Sequence, residues 1–329
     1  MRAGIWDWRH YPTVARIANM AACDVGRGSE TLMTYSRGDL FRAARHLLAG
    51  RTGRFGKHGL PARALVVTGF FIPRANRPAA ETDGPLGALE VCMALRAIGG
   101  DAWLVSDECC APVIRPSALE FLPEDHVLIA PGAAGSSTSG DLDADHAHGG
   151  TPFDAWLNHV IDLVRSENIS TLIYIERVGP ARDGNPHNMR GIDITEWTAP
   201  LSQLTLMNLH TIGVGDGGNE IGMGSIEDYA IEGVVDHGMD IACTVPTDQI
   251  VVAGTSNWGA HALVCAMRAF GRTEVDPYME VGWQRMVLDA IVANGGLDGV
   301  HMTNVATVDG LDSDRYFAEI AALASAARR

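Results

Sequence analysis

T-I-G-V-G-D-G-G-N-E-I-G-M-G, Thr211 to Gly224, holds six glycines in fourteen residues, with Asp216, Asn219 and Glu220 among them. Glycine loses more backbone entropy on folding than any other residue, so repeated use implies positive φ or a very close backbone approach. An apolar lead-in, Leu206 to Val214, enters the loop and a mixed segment beginning at Ile221 leaves it. The pattern predicts strand, tight loop and helix start, a common ligand position in α/β proteins.

The flanking sequence repeats that alternation. Strands are expected at Ala64–Phe70, Asp101–Asp107, His126–Ala130, Thr171–Ile175, Ile241–Val245 and Ile250–Val252. Helices are expected from Pro85 to the stop at Gly99-Gly100, around Ser117–Phe121, over Thr151–Asn168 with Thr151 as cap, near Ala199–Asn208, over Asp228–His237, from Ser256, over Pro277–Ala293, and at the chain's Ala-rich end. Ser36 is expected to cap a helix through Leu40 and Leu47. The fold class expected is therefore α/β, a mainly parallel sheet flanked by helices on both faces in a Rossmann-like three-layer arrangement, with a helical N-terminal segment. Residues 1–62 are read as that segment, packed on one α/β unit over residues 63–329.

With 329 residues, 47% hydrophobic and 20% charged, the chain has ample length for a large core. Its formal net charge of -15 disfavours nucleic acid and anionic membrane as partners. No run approaches the roughly 18 apolar residues of a membrane span. The N-terminus lacks an apolar signal region, and Asp7 and Asp24 speak against a transit peptide, so a cytoplasmic location is expected. The six cysteines show no C-x-x-C spacing and read as reduced thiols. Gly50–Pro61 reads as a basic connector. The Pro131–Gly150 loop carries Asp141, Asp143, Asp145, His146 and His148, but lacks the glycine and the bidentate Glu of a calcium loop.

Acids recur where strands end: Glu81 and Asp83, Glu176, then Asp216 and Glu220, with Asn257 opening a later helix. That edge is where open α/β sheets bind ligands, although any one such carboxylate can equally cap a helix. Gly213, Gly215 and Gly218 fit G-x-G-x-x-G, but Asp216 and Glu220 would repel a pyrophosphate. An ammonium group or a divalent metal suits those acids better.

The string G-V-G-D-G-G-N-E-I-G-M-G resembles the D-glutamate cyclase family in its C-terminal cyclase domain. So do T-G-F with P-A-A-E-T-D-G-P-L-G-A-L from Thr68, I-E-R with D-G-N-P-H-N-M-R-G over Ile175–Gly191, V-A-G-T-S-N-W-G-A over Val252–Ala260, and L-D-G-V with T-V-D-G-L over Leu297–Leu311. The blocks come in the family's order and cover roughly Asp24 to Leu311. Two departures stand out: Pro186-His187 replaces an expected Tyr-Tyr, and His261 replaces an expected Tyr.

The resemblance implies a hydro-lyase that converts D-glutamate to 5-oxo-D-proline by attack of the α-amine on the γ-carboxyl group. The alternatives are a family member acting on a different small amino acid or lactam, which His187 and His261 motivate, and a non-catalytic amino-acid-binding module. The implied reaction needs a base for the ammonium, with Glu220 or Asp216 as candidates, and an acid for the γ-carboxyl, with Glu176 or Asp83 as candidates. The N–H groups of Gly217 and Gly218 are candidate oxyanion donors. Asn219, Asn257 and Arg190 are candidate readers of the α-carboxylate, with Thr82, Asn188, His187 and His261 beside them. No cofactor is fixed by this reading. As an alternative to proton transfer, Asp216 and Glu220 hold Mg²⁺ or Mn²⁺ as a Lewis acid. The expected partner is a small amino acid, and a homo-oligomer is compatible with the sequence.

Overall fold

The structure, a computed structural model, describes residues 7–49, 60–132 and 151–329. Most of the basic connector and the Asp141–His148 cluster therefore lie outside the described residues.

Six parallel strands form the central sheet: β1 (Arg63–Thr68), β2 (Asp101–Asp107), β3 (Val127–Ala130), β4 (Thr171–Ile175), β5 (His210–Gly215) and β6 (Gln249–Val252). Their spatial order is β3-β2-β1-β4-β5-β6. Val66 is in register with Leu104 on one side and Ile173 on the other, and Ile173 continues to Ile212. The order reverses between β1 and β4, and an open α/β sheet has its ligand crevice beyond the carboxyl ends at such a point.

Every residue of β4 is buried, as is β1 from Ala64 onward. These strands read as continuous apolar runs because both faces are covered. Alternate side chains feed two cores. Val66, Ile173, Ile212 and Val251 join one, with helices α1 (Tyr11–Ala21), α2 (Asp39–Ala49), α3 (Pro85–Ala97) and α4 (Ala111–Leu119). Leu65, Val67, Leu172 and Ile250 join the other, against α5 (Pro152–Ser166). The first core also takes in α6 (Ser256–Ala269), α7 (Val281–Ala293) and α8 (Ser313–Ala327).

Local chemistry explains several boundaries. Thr151 Oγ1 accepts from Asp154 N–H, and the Asp154 carboxylate accepts from Thr151 N–H, a reciprocal cap for α5. On the edge strand, Ile250 N–H donates to Asp39 of α2, so the N-terminal helices cover β6.

Some expectations are corrected. Ile241–Val245 is not a strand: Cys243 N–H donates to Gly218 O and Gly222 N–H to Val245 O, so this backbone is bonded to the glycine loop instead. The loop itself does not lead into a helix; it turns through Ile226, and helix resumes only at Asp228. Leu201–Met207 is a 3-10 helix ended by Asn208 at φ 55. α4 starts at Ala111, well before Ser117, with Pro112 in its first turn, and α7 starts at Val281, not Pro277. Ser36 caps nothing; its hydroxyl donates to Met33 O. The six cysteines are free. Among the described residues no helix is long and apolar enough to cross a membrane.

Candidate active site

A cleft of about 190 Å³ opens at the reversal point, and its lining includes Arg27, Glu81, Glu176, Asp216 and Asp309. Drug-sized ligands occupy roughly 300–1,000 Å³, so this cleft suits a small metabolite. Phe70, Met189 and Val300 supply apolar wall.

Glu176 is the first residue after β4, in left-handed backbone at φ 47. Such strain in a non-glycine residue gathers at functional sites. The neighbouring chain makes room for it: Gly84 sits at φ 93, and a Cβ there would lie 2.6 Å from Glu176 Cβ. Glu176 is buried, and its Oε2 has no hydrogen-bond partner. Burial first, then the charges of Asp216, Glu220, Asp83 and Glu81, raise its pKa well above the usual glutamate value.

Asp216 follows β5 and is also buried. Its pKa is raised well above the usual aspartate value: burial is the largest cause, Arg27, whose Nη1 stands 2.5 Å from Oδ2, opposes it, and the charges of Asp309, Glu220 and Asp83 add to it. The two acids thus differ in kind: one is ion-paired and the other has no cation of its own.

Glu220 is held by the backbone of its own loop. Oε1 accepts from the N–H groups of Asp216 (3.0 Å) and Gly217 (2.7 Å), and Oε2 accepts from Gly218 (2.8 Å). A side chain four residues on has closed the loop back on itself. Gly217 and Gly218 are therefore not free oxyanion donors. Asp216 and Glu220, the pair expected to hold a divalent cation, bring carboxylate oxygens within 4.8 Å of one another together with Glu176, while Asp216 also carries the Arg27 guanidinium.

Asp83, Thr82 and Asn257 form framework. Asp83 accepts from the first two N–H groups of α6, Ser256 and Asn257, both at 2.8 Å, which is the helix-cap reading of that carboxylate. Asn257 Oδ1 accepts from Gly84 and Gly87 N–H, and its Nδ2 donates to Thr82 O. Thr82 Oγ1 donates to Thr307 O. Burial and Asp309 raise the Asp83 pKa as well. Asn219 Nδ2 donates to His187 O, holding that loop rather than facing the cleft. Asn188 and Arg190 do line the cleft, and Asn188 Oδ1 fixes the turn by accepting from Arg190 and Ile192 N–H.

Neither histidine lines the cleft. His187 Nε2 stands 2.9 Å from Asp183. His261 lies within α6, fully buried, with Nδ1 2.7 Å from Glu90 Oε1 and Nε2 3.1 Å from Ile320 O. The case for a changed substrate built on these two positions therefore has no geometric support. His261→Tyr is expected to lower stability by about 1–3 kcal/mol through overpacking, with KM unchanged. Thermal unfolding and steady-state kinetics check both halves.

Sequence reasoning left Arg27 and Asp309 out of the site and named Glu81 only as a strand-end acid without a role. Asp309 is fixed by Asp298, which accepts from Val300, His301 and Gly310 N–H and from Thr307 Oγ1. Arg27 is aimed by Asp24, whose Oδ1 accepts from Gly26, Arg27 and Gly28 N–H. The readable signal was D-x-G-R-G, an Asp followed by glycines in the spacing of a side-chain-closed turn.

Comparison with known sequences identifies the family. The D-glutamate cyclase-like C-terminal family matches residues 17–324. Human mitochondrial D-glutamate cyclase is 34% identical over 211 residues, covering 62% of this chain and 32% of the human protein.

Proposed function

The chain belongs to the D-glutamate cyclase-like family, and on that premise we propose that it closes D-glutamate to 5-oxo-D-proline with loss of water. The observation that carries the reading is the unpartnered, buried Glu176 beside the Arg27-paired Asp216 in one small cleft. Two carboxyl groups in unlike surroundings, one ion-paired and one without a cation, divide acid and base work between them.

Substrate ammonium is not a nucleophile until it loses a proton. Asp216, paired with Arg27, takes that proton. The freed amine attacks the γ-carbon, forming the C–N bond. The adduct nitrogen sheds its second proton to become an amide, and that proton together with the one from protonated Glu176 lets a γ-oxygen leave as water, so one C–O bond breaks for the C–N bond formed. The proton on Asp216 then passes through solvent to Glu176, which restores both groups for the next turnover. Holding the flexible substrate in its curled pose removes an entropic barrier that free glutamate meets in water. Arg74 and Arg190 also line the cleft and supply positive charge for the substrate's α-carboxylate.

The test is incubation with D- or L-glutamate, with and without chelator, followed by NMR. 5-Oxoproline is expected from the D enantiomer. No product from either enantiomer at high enzyme concentration sinks the proposal.

A further inference from the structure

Carboxylate oxygens of Asp83, Asp216 and Asp309 lie within 4.8 Å of one another. An all-oxygen set of that kind is what hard divalent cations recruit. A cation is already there. Arg27 Nη1 stands 2.5 Å from Asp216 Oδ2, Nη2 stands 2.7 Å from Asp309 Oδ1, and Nη1 also donates to Asp309 Oδ2 at 3.3 Å. Its planar fork grips Asp309 through both oxygens and Asp216 through one, a pattern a single ammonium cannot reproduce.

The delivery of this side chain is built into the backbone. Asp24 closes the turn through three N–H groups, with Gly26 at φ 109 and Gly28 at φ 74. Ser29 Oγ donates to Ala22 O, and Gly254 N–H donates to Ala21 O, which ties the segment to the loop after β6. The segment ahead of β1 therefore reaches across to the carboxyl edge of the sheet.

We propose that Arg27 is the resident cation of this site, a guanidinium standing among Asp83, Asp216 and Asp309 in the place a divalent metal would otherwise take. Its occupancy of the cage does not depend on the reaction. Its role there rests on the proposed cyclisation: it grips Asp216 and leaves Glu176 unpaired, so it is the positioning residue that separates base from acid.

The experiment titrates Mn²⁺ by electron paramagnetic resonance into wild type, Arg27→Ala and the Arg27→Ala/Asp216→Asn double variant. Wild type is expected to show no Mn²⁺ site that depends on Asp216. Arg27→Ala is expected to gain a site at least about 10²-fold tighter, since a neighbouring like charge is gone, and the double variant to lose it. A wild-type Mn²⁺ site abolished by Asp216→Asn overturns the proposal, as does a folded Arg27→Ala that gains none. Arg27→Lys serves if Arg27→Ala melts below the assay temperature. It keeps a point charge, so Mn²⁺ stays excluded, while kcat falls about 10²-fold with KM little changed. Millimolar methylguanidinium is expected to restore part of the kcat of Arg27→Ala. Arg27→Lys matching wild type in kcat removes the positioning role. Should wild type turn over no glutamate, the Mn²⁺ result still decides occupancy, which keeps the two readings separable.

Discussion

Glu176→Gln is expected to cut kcat for D-glutamate by about 10²–10⁴-fold, the usual worth of a general acid, while KM stays within about threefold. Glutamine keeps the shape and the left-handed backbone position but has no proton to give. A variant within about tenfold of wild type would remove Glu176 from the mechanism. The same residue sets a pH signature. Its pKa is raised well above the usual value by burial and by Asp216 and Glu220, so the donor form persists to higher pH than in an ordinary glutamate. Turnover should fall as pH rises through that raised value, and the variant's residual activity should lack the fall. Stability has the same sign. A carboxyl group whose folded pKa exceeds its unfolded value of about 4.3 favours folding fully below that value, and the contribution is lost as pH rises through the folded one. The melting temperature should therefore decline on the alkaline side, and less steeply in Glu176→Gln. Some decline remains, because burial and neighbouring acids raise Glu81 and Asp83 in the same direction.

Glu220→Ala should have the largest effect on stability. It strips the acceptor from three buried N–H groups, those of Asp216, Gly217 and Gly218. At about 1–3 kcal/mol for each stranded donor, the loss is about 3 kcal/mol or more, and roughly 6 °C or more in melting temperature. Glu220→Gln separates this role from catalysis. It retains one carbonyl acceptor, so the folded fraction at low temperature is expected to keep kcat within about tenfold of wild type. A folded but inactive Glu220→Gln would return Glu220 to the candidate bases.

The sheet was readable because its signals are local. Apolar runs such as Ala-Leu-Val-Val and Leu-Ile-Tyr-Ile, caps such as Thr151, and Pro85 at a first turn each fix an element within a few residues. The acids at strand ends were readable for the same reason, and Asp83, Glu176 and Asp216 do gather at the carboxyl edge. What each acid does was not readable. Glu220, Asp83 and Asp216 are all carboxylates beside glycines or helix starts. They differ only in what meets them: three loop N–H groups, the start of α6, or Arg27. His261 misled for a related reason: one helical turn beyond Asn257 it lies deeper along α6, where Glu90 and Ile320 O meet it. Arg27 went unread because the charge it meets is remote in sequence, and no short-range pattern marks a partner at that distance.

Arg27 and Asp309 are 282 positions apart. Synthesis runs from one to the other, so the sheet strands have all left the ribosome before the acid that Arg27 grips has been added. Until then the strand-end carboxylates face water without their loop, and water keeps such groups ionised and apart. The scaffold is thus an early product of translation and the cage a late one. A chain ending before Asp309 would own every strand of the sheet and lack the carboxylate that Arg27 grips through both oxygens.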